Sequence, residues 1–303
     1  MADNKIELIK YRRALIKASG KRLPRKRKPP VPLQPKAIEM EYYKSIMGLL
    51  SPMFTAIKEQ LIPRLPELYA AKEKDRKIDS QRLDMPQVSS VFGSILTHTF
   101  EDISVGVAIE SDTIEGLSDR FARRTSIFNK GQVDKQFRSV LGIDVIRAER
   151  WLEPQVTSFV EDNVSLITSI QSDYLKKVEQ MVRFSAESGV STDKLKKNII
   201  ESFGVPEKRA KLIARDQISK FNGKLTELRQ TEAGVKEYDW SPSNDERVRE
   251  RHRLSFLSQY AIDGKARFRW SDPPPVGNNG ERLHPGQDYQ CRCASLPVLE
   301  EFL

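Results

Sequence analysis

The middle of the chain has a helical pattern of apolar positions. Between residues 153 and 189, apolar side chains recur at steps of three and four, which is typical of a helix with one buried stripe. Such a helix would extend roughly 50 Å at about 1.5 Å per residue. We therefore predict one long helix with a single apolar seam. The seam consists of Val156, Phe159, Val160, Ile167, Ile170, Tyr174, Val178 and Met181.

Two more helices are predicted after the long one. Gly189 suits the position that follows a helix end, and Ser191 or Thr192 suits an N-cap. Gly204 then ends the second helix, and Pro206 fits the first turn of a third. The apolar positions are Leu195, Ile199, Ile200 and Phe203 in the second helix, and Ala210, Ile213, Ala214, Ile218, Phe221, Leu225 and Leu228 in the third.

The pattern changes at Gly234. Tyr238 and Trp240 alternate with charged neighbours, as Phe268 and Trp270 do later, and both pairs predict short, half-buried strands. The fold class expected is mainly α, with an elongated helical body and a small C-terminal α+β domain. The predicted segments are a basic, proline-rich N-terminal arm at 1–36, a helical region at 37–150, a long-helix stalk at 151–230 and an α+β domain, with a zinc site, at 231–303. The long helix would then be a spacer that holds this domain away from the arm.

Positive charge is concentrated in the arm. The chain carries a net charge of +9, and residues 1–36 hold 12 of its 51 Lys and Arg residues but only two of its 42 acidic ones. Residues 4–19 fit a short basic helix, whereas five prolines between residues 24 and 35 predict an extended linker. A basic tail on a nearly neutral body is typical of a polyanion-binding segment, so we predict contact with the phosphates of double-stranded DNA. The alternatives are a nuclear-type or membrane-surface basic peptide, or a disordered tail. The predicted contact residues are Lys21, Arg22, Arg25, Lys26, Arg27 and Lys28.

Several classes of protein are disfavoured. No apolar run is long enough to cross a bilayer, and the N-terminus lacks the uninterrupted apolar region of a signal peptide. The two cysteines lie two residues apart near the C-terminus, unlike the spread pattern of a secreted disulfide framework. We therefore expect a reducing cytosol and no membrane contact.

Four of the five His and Cys residues fall between residues 252 and 293. Imidazole and thiolate are the ligands that tetrahedral zinc prefers, and a metal adds folding energy to a small domain. We predict one structural zinc ion bound by His252, His284, Cys291 and Cys293. Cys-x-Cys on a strand would hold its thiols too far apart for one ion, so the backbone must turn there. The alternative is that the thiols are small buried groups and the histidines make hydrogen bonds. The remaining histidine, His98, is interpreted as structural.

A run of charges precedes His252. Residues 245–252 read Asp-Glu-Arg-Val-Arg-Glu-Arg-His, and carboxylates beside a metal-bound water would indicate a hydrolase or nuclease. Charge runs are more often the solvated face of a helix, with ion pairs four residues apart. The sequence contains no nucleophile elbow, phosphate loop or zinc-protease helix motif. We therefore predict that the protein is not an enzyme and assign no catalytic residue.

The C-terminal third resembles the Mu F-like head-morphogenesis, or minor head protein, family of tailed phages. The resemblance covers about residues 185–297, and it departs from the family pattern at 216–217, where Asp-Gln replaces the usual Thr-Glu. The matching text includes Gly189-Val-Ser, Gly204-Val-Pro, Ala214-Arg215, Asn222, Tyr238, Trp240, the run Asp245 to His252 with Arg247, Phe268, His284-Pro-Gly286, Cys291-Arg-Cys293 and Pro297.

The resemblance implies a minor structural protein of the virion. It implies that the protein lies inside the head, is present in the host cytoplasm during assembly, and acts in head morphogenesis or early genome delivery. Its expected partners are the portal protein, the capsid protein and packaged double-stranded DNA. Two alternatives remain open: a metal-dependent hydrolase or nuclease that uses the C-terminal cluster, and a scaffolding protein absent from mature particles.

Overall fold

The computed structural model describes residues 2–24, 28–81, 90–146, 148–243, 246 and 248–303. The fold is mainly α-helical with a small C-terminal sheet, as predicted. The helices are α1 (Ala2–Ala18), α2 (Lys36–Ala56), α3 (Leu65–Gln81), α4 (Val91–Gly106), α5 (Ser111–Leu141), α6 (Leu152–Glu187), α7 (Thr192–Glu201), α8 (Gly204–Glu232) and the short α9 (Leu254–Leu257). No helix in the described part of the chain is long and apolar enough to span a membrane.

The helix boundaries after residue 150 follow the predicted signals. The long helix is α6, and most of its seam is buried, Ile170 with 1% of its surface exposed. Gly189 adopts a positive φ of 68° after the helix end, where an L-residue with a side chain would be strained. Ser191 then caps α7, because its hydroxyl accepts a hydrogen bond from the amide of Lys194.

The sheet contains three short antiparallel strands in the order β2-β1-β3. They are β1 (Glu237–Ser241), β2 (Arg267–Arg269) and β3 (Ala294–Pro297). Tyr238 on β1 pairs with Phe268 on one side and with Pro297 on the other. The alternation predicted at Tyr238 and Trp240 is confirmed, because both side chains are buried while their neighbours on β1 are partly exposed.

The chain forms two compact units, each assembled from stretches that are separate in sequence. The helical unit comprises Glu41–Leu117 and Glu161–Ile213, and the sheet-containing unit comprises Met1–Met40, Ser118–Val160 and Ala214–Leu303. The four consecutive segments expected from the sequence remain a prediction. Separate stretches combine because apolar stripes on distant helices must cover one another to leave water.

The helical unit has an aliphatic core. Its buried cluster takes side chains from α2, α3, α4, α6 and α7, and Tyr174 on α6 is the largest polar member. The Tyr174 hydroxyl hydrogen-bonds to Ser202 Oγ at 2.6 Å, so its polar end is satisfied.

The N-terminal helix packs against the C-terminal end of the chain. Ile6 and Ile9 are buried in a cluster that includes Leu299 and Phe302, and Lys5 donates to the carbonyl oxygen of Glu232 at 2.6 Å. The prediction that α6 holds the C-terminal domain away from the arm is therefore wrong for α1. Burying the two isoleucine side chains removes apolar surface from water, and this lowers the free energy of the docked helix below that of a solvated one.

The proline-rich stretch is held at several points. The amide of Leu33 donates to Gln132 Oε1, the side chain of Gln136 donates to the carbonyl of Pro30, and that of Gln34 donates to the carbonyl of Arg292. The described part of residues 21–35 has no helix or strand, as the prolines predicted.

The charge run before His252 does not form the predicted helix face. Asp245 and Arg247 lie outside the described residues, and residues 250–252 form a single 3-10 turn. Arg251 donates instead to the carbonyl oxygen of Gly277 at 2.7 Å. Arg249 and Arg251 are engaged by distant loops, which a local pattern of ion pairs could not indicate.

Candidate metal centre and arginine pocket

Three of the four predicted zinc ligands converge. One ligand atom each from His252, Cys291 and Cys293 lies within 4.8 Å of the other two, and all three residues are buried. The His252 Nδ1 atom is 3.4 Å from the Cys291 sulfur and 3.7 Å from the Cys293 sulfur. In a tetrahedral site with ordinary Zn–N and Zn–S bonds, nitrogen and sulfur ligands are about 3.6 Å apart. The three side chains therefore have the chemistry and the spacing for a zinc ion.

A backbone turn brings the two thiols together. Cys291 and Cys293 precede β3, and the amide of Cys293 donates to the Cys291 sulfur at 3.4 Å. Gln290, just before them, has a φ of 52°, which is uncommon for a residue with a Cβ. Its amide donates to Asp216 Oδ1 on α8 at 2.6 Å, and this contact holds the strained conformation. This turn meets the condition that a Cys-x-Cys site requires.

Asp288 positions the imidazole. Its Oδ2 atom lies 3.1 Å from Nε2 of His252, and the same oxygen receives a hydrogen bond of 2.6 Å from Arg249. A carboxylate on the outer ring nitrogen is the usual support of a metal-binding histidine, because it leaves the other nitrogen facing the ion. His252 is therefore oriented with Nδ1 toward the two sulfurs.

The two thiols have opposite acidities. The Cys293 thiol donates to Cys291 and lowers the pKa of Cys291 well below its usual value, and His252 adds to this effect. The pKa of Cys293 is raised by the neighbouring Cys291 sulfur and by burial. Zinc binds cysteine as the thiolate, so binding of a divalent ion would release the thiol protons that remain.

His284 stands outside this group. Its Nδ1 atom is 3.1 Å from the hydroxyl of Tyr238, and its ring packs against Trp270 with the centroids 4.8 Å apart. Burial lowers the pKa of His284. The four-residue ligand set expected from the sequence is thus not assembled here. His284 belongs to the aromatic core, and clustering along the chain could not separate a ligand from a neighbouring core residue.

A polar pocket of about 190 Å³ opens beside the sulfur atoms. Three arginines line it, Arg215 from α8, Arg249 from the charge run and Arg292 from between the two cysteines. The pocket is also lined by Ser243, Val248, His252, Gln290, Cys291 and Cys293, so that no carboxylate is part of its lining among the described residues. Below, this is called the arginine pocket.

One face of α8 holds the loop that carries the site. Asp216 anchors Gln290, Ser219 donates to the carbonyl oxygen of Cys291 at 2.5 Å, and Gly223 lies against Gly286. A Cβ atom at Gly223 would come within 3.0 Å of the carbonyl oxygen of Pro285, so only glycine permits this close approach. Asp216 is also the point where the sequence departs from the family pattern.

The remaining residues singled out in the sequence lie in different parts of the structure. The ring of Trp240 packs edge-on against His252 at 5.6 Å. Asn222 accepts hydrogen bonds from Asn129, at its backbone oxygen and its side chain. Of the predicted DNA contacts, Lys21, Arg22 and Lys28 are exposed, while Arg25, Lys26 and Arg27 lie outside the described residues. His98 is exposed on α4, 3.3 Å from Glu101.

Residues that the sequence analysis missed lie around the three ligands. They are Asp216, Ser219, Gly223, Asp288, Arg249 and Arg292. The spacing of the first three on α8 marks one helix face, and Arg249 and Arg292 lie within the charge run and the Cys291-Arg-Cys293 motif. Asp288 meets His252 only in the folded chain, so no pattern among neighbouring residues indicates its role.

The segments that form this site lie within a stretch of sequence that matches a known family. Residues 176–296 match the family described as phage Mu protein F like protein. Over these residues the chain is similar to that family. The match includes α7, α8, the sheet strands β1 and β2 and the ligands His252, Cys291 and Cys293.

The chain also has a curated relative. It is 36% identical over 189 residues to a Haemophilus influenzae protein described as uncharacterized. The alignment covers 61% of this chain, and the chain spans only 39% of the relative's length. No solved structure matches this protein.

Proposed function

We propose that this protein is a minor structural protein of a tailed-phage head that acts in head morphogenesis. The observation that carries the proposal is the Mu F-like match over residues 176–296. The expected partners are the portal protein, the inner face of the capsid and packaged double-stranded DNA. A density map of intact particles, supported by mass spectrometry of the purified head, tests this assignment. A chain found at the portal supports it, whereas presence in proheads and absence from mature heads would make it a scaffolding protein.

DNA contact by the N-terminal segment needs a design that leaves packing intact. Deletion of residues 1–36 would remove Ile6 and Ile9 from a buried cluster, and a loss of binding could then reflect unfolding. Substitution of the exposed Lys21, Arg22 and Lys28 by Gln removes charge alone. We expect weaker binding to arbitrary duplex DNA and a salt slope smaller by roughly 2 to 3, since each phosphate contact contributes about 0.9.

The matched control for DNA binding lies on other helices. Lys176, Lys177 and Lys196 are exposed on α6 and α7, and their substitution by Gln removes the same charge. Equal effects of the two triple variants would show a general charge effect and would refute a dedicated DNA-binding segment.

We also propose one zinc ion at His252, Cys291 and Cys293. The proposal is supported by the sulfur–nitrogen distances of 3.4 and 3.7 Å and by the carboxylate of Asp288 behind the imidazole. Elemental analysis of protein purified without added metal should give one zinc per chain. Cys293→Ser should remove it, whereas His284→Gln should retain it. Loss of zinc in His284→Gln would restore the four-residue ligand set.

A metal-dependent hydrolase or nuclease is the second candidate function. It is favoured by a group of three protein ligands beside a pocket, since a catalytic zinc keeps one position open. Cleavage of plasmid DNA or of a phosphate ester by the zinc-loaded chain, abolished by Cys293→Ser, would support it. An inactive zinc-loaded chain would leave the ion a structural role.

A further inference from the structure

We propose that the arginine pocket binds a phosphate group, with one oxygen occupying the fourth position of the metal. The inference rests on the proposed zinc site and names the ligand that would complete it. Three protein ligands leave a tetrahedral ion one position short, and in the described residues no further His, Cys, Asp or Glu joins the group. Within the described residues, this position is therefore open to an exogenous ligand.

The charge around the pocket selects an anion. Arg215, Arg249 and Arg292 line it, and the carboxylates that contact them lie outside the lining. Asp288 holds Arg249 at 2.6 Å, and Glu39 lies 3.5 Å from Arg292. A zinc ion with two thiolates is neutral, so it adds no negative charge that would keep an anion away from these guanidinium groups.

The donor geometry fits a tetrahedral oxyanion. Guanidinium groups match phosphate oxygens with paired N–H donors, which an ammonium group does not. The Nε atom of Arg292 is buried and makes no hydrogen bond within the described structure. A donor that has lost water without gaining a partner costs free energy, and a bound oxyanion would recover it.

The size of the pocket limits what can enter. About 190 Å³ is smaller than the usual cavity for a drug-sized ligand, which is roughly 300 Å³ or more. A free phosphate or a terminal phosphomonoester fits, whereas a base and sugar would remain outside. A backbone phosphodiester within a duplex would have to bring two neighbouring sugars into the same space.

Cobalt provides the test, because tetrahedral cobalt thiolate sites absorb visible light and report the identity of the fourth ligand. The full chain loaded with Co²⁺ is titrated with inorganic phosphate, with a nucleoside 5′-monophosphate, and with closed circular duplex DNA that lacks terminal phosphates. We expect saturable spectral changes with the first two probes and none with the third. A response to closed duplex DNA alone would refute the terminal-phosphate ligand.

Variants separate the pocket from the metal. Arg292→Gln and Arg215→Gln should weaken phosphate binding about tenfold, as expected for lost charged hydrogen bonds, while the cobalt thiolate absorption persists. Arg292→Lys, which keeps the charge, should lie between. Arg253→Gln is the matched control, since Arg253 is exposed next to His252 and does not line the pocket.

The two possible failures are distinguishable. If cobalt binds with a thiolate spectrum but phosphate changes nothing up to millimolar concentration, the phosphate inference is wrong and the metal proposal stands. If no cobalt thiolate absorption develops, the metal proposal fails and the phosphate inference fails with it. Equal phosphate affinity in Arg292→Gln and wild type would also overturn the pocket assignment.

Discussion

The helical unit and the C-terminal aromatic cluster are stabilised by different means. The core of the helical unit is a set of mainly aliphatic stripes on helices, with a few aromatic rings and few polar atoms to satisfy. The C-terminal cluster combines Tyr238, Trp240, Phe268, Cys291 and Cys293, and two histidines pack against its aromatic rings. A core of the first kind tolerates changes of shape more readily than changes of charge, whereas the second depends on hydrogen bonds and protonation.

The largest effect is expected from a charge in the buried seam of α6. Ile170→Asp on α6 should cost roughly 4 kcal/mol and prevent stable folding, because a carboxylate at a position only 1% exposed has no partner supplied for it. Urea unfolding followed by circular dichroism measures the change. Ser172→Asp, on an exposed position of the same helix, is the control and should fold normally. Equal stability of the two variants would show that the seam is not buried.

A buried ion pair in the sheet-containing unit gives the next effect. Arg229 is 1% exposed and donates to both carboxylate oxygens of Glu149, at 2.6 and 3.0 Å. Glu149→Gln should destabilise the protein by about 3 kcal/mol, because it leaves a buried guanidinium without its counter-charge. The same substitution at Glu153, which pairs with Arg123 at the surface, should change little. The midpoints of thermal unfolding of the two variants measure the difference. Equal midpoints would contradict this prediction.

Packing of the N-terminal helix is expected to contribute less. Ile9→Ala should cost about 2 to 3 kcal/mol, since it opens a cavity beside Phe302 and Leu299. Leu8→Ala is the control, because Leu8 is 53% exposed on the same helix. If proteolysis removes α1 from wild type without lowering the unfolding midpoint, α1 is a free arm and this contact is not stabilising.

The smallest effect is a pH dependence of the aromatic cluster. Burial lowers the pKa of His284 in the folded protein, so the unfolded chain takes up a proton first as the pH falls below about 6.5. Stability is therefore fully present above that value and decreases as the pH falls toward the folded pKa. The unfolding midpoint of wild type should fall between pH 7 and pH 5 more steeply than that of His284→Gln. Parallel profiles would mean that His284 is equally solvated in both states.

The sequence by itself determined the features that depend on near neighbours. The α6 seam, the Ser191 cap, the Gly189 helix end and the strands at Tyr238 and Phe268 follow from periodicity and turn chemistry, which act over a few residues. The convergence of His252 with Cys291 and Cys293 was also predicted, because soft ligands are scarce in this chain and were clustered. The basic N-terminal helix was predicted, but not what covers it.

Only the tertiary structure decided which distant groups meet. His284 lies against Tyr238 instead of the sulfurs, Asp288 supports His252, and Arg215 on α8 reaches the same pocket as Arg292. The side chains brought together in these three cases are 46, 36 and 77 positions apart along the chain. Such pairs leave no periodic trace, because their distance is set by how α8 and the C-terminal loop pack, and by the glycine contact between Gly223 and Gly286 that allows the close approach.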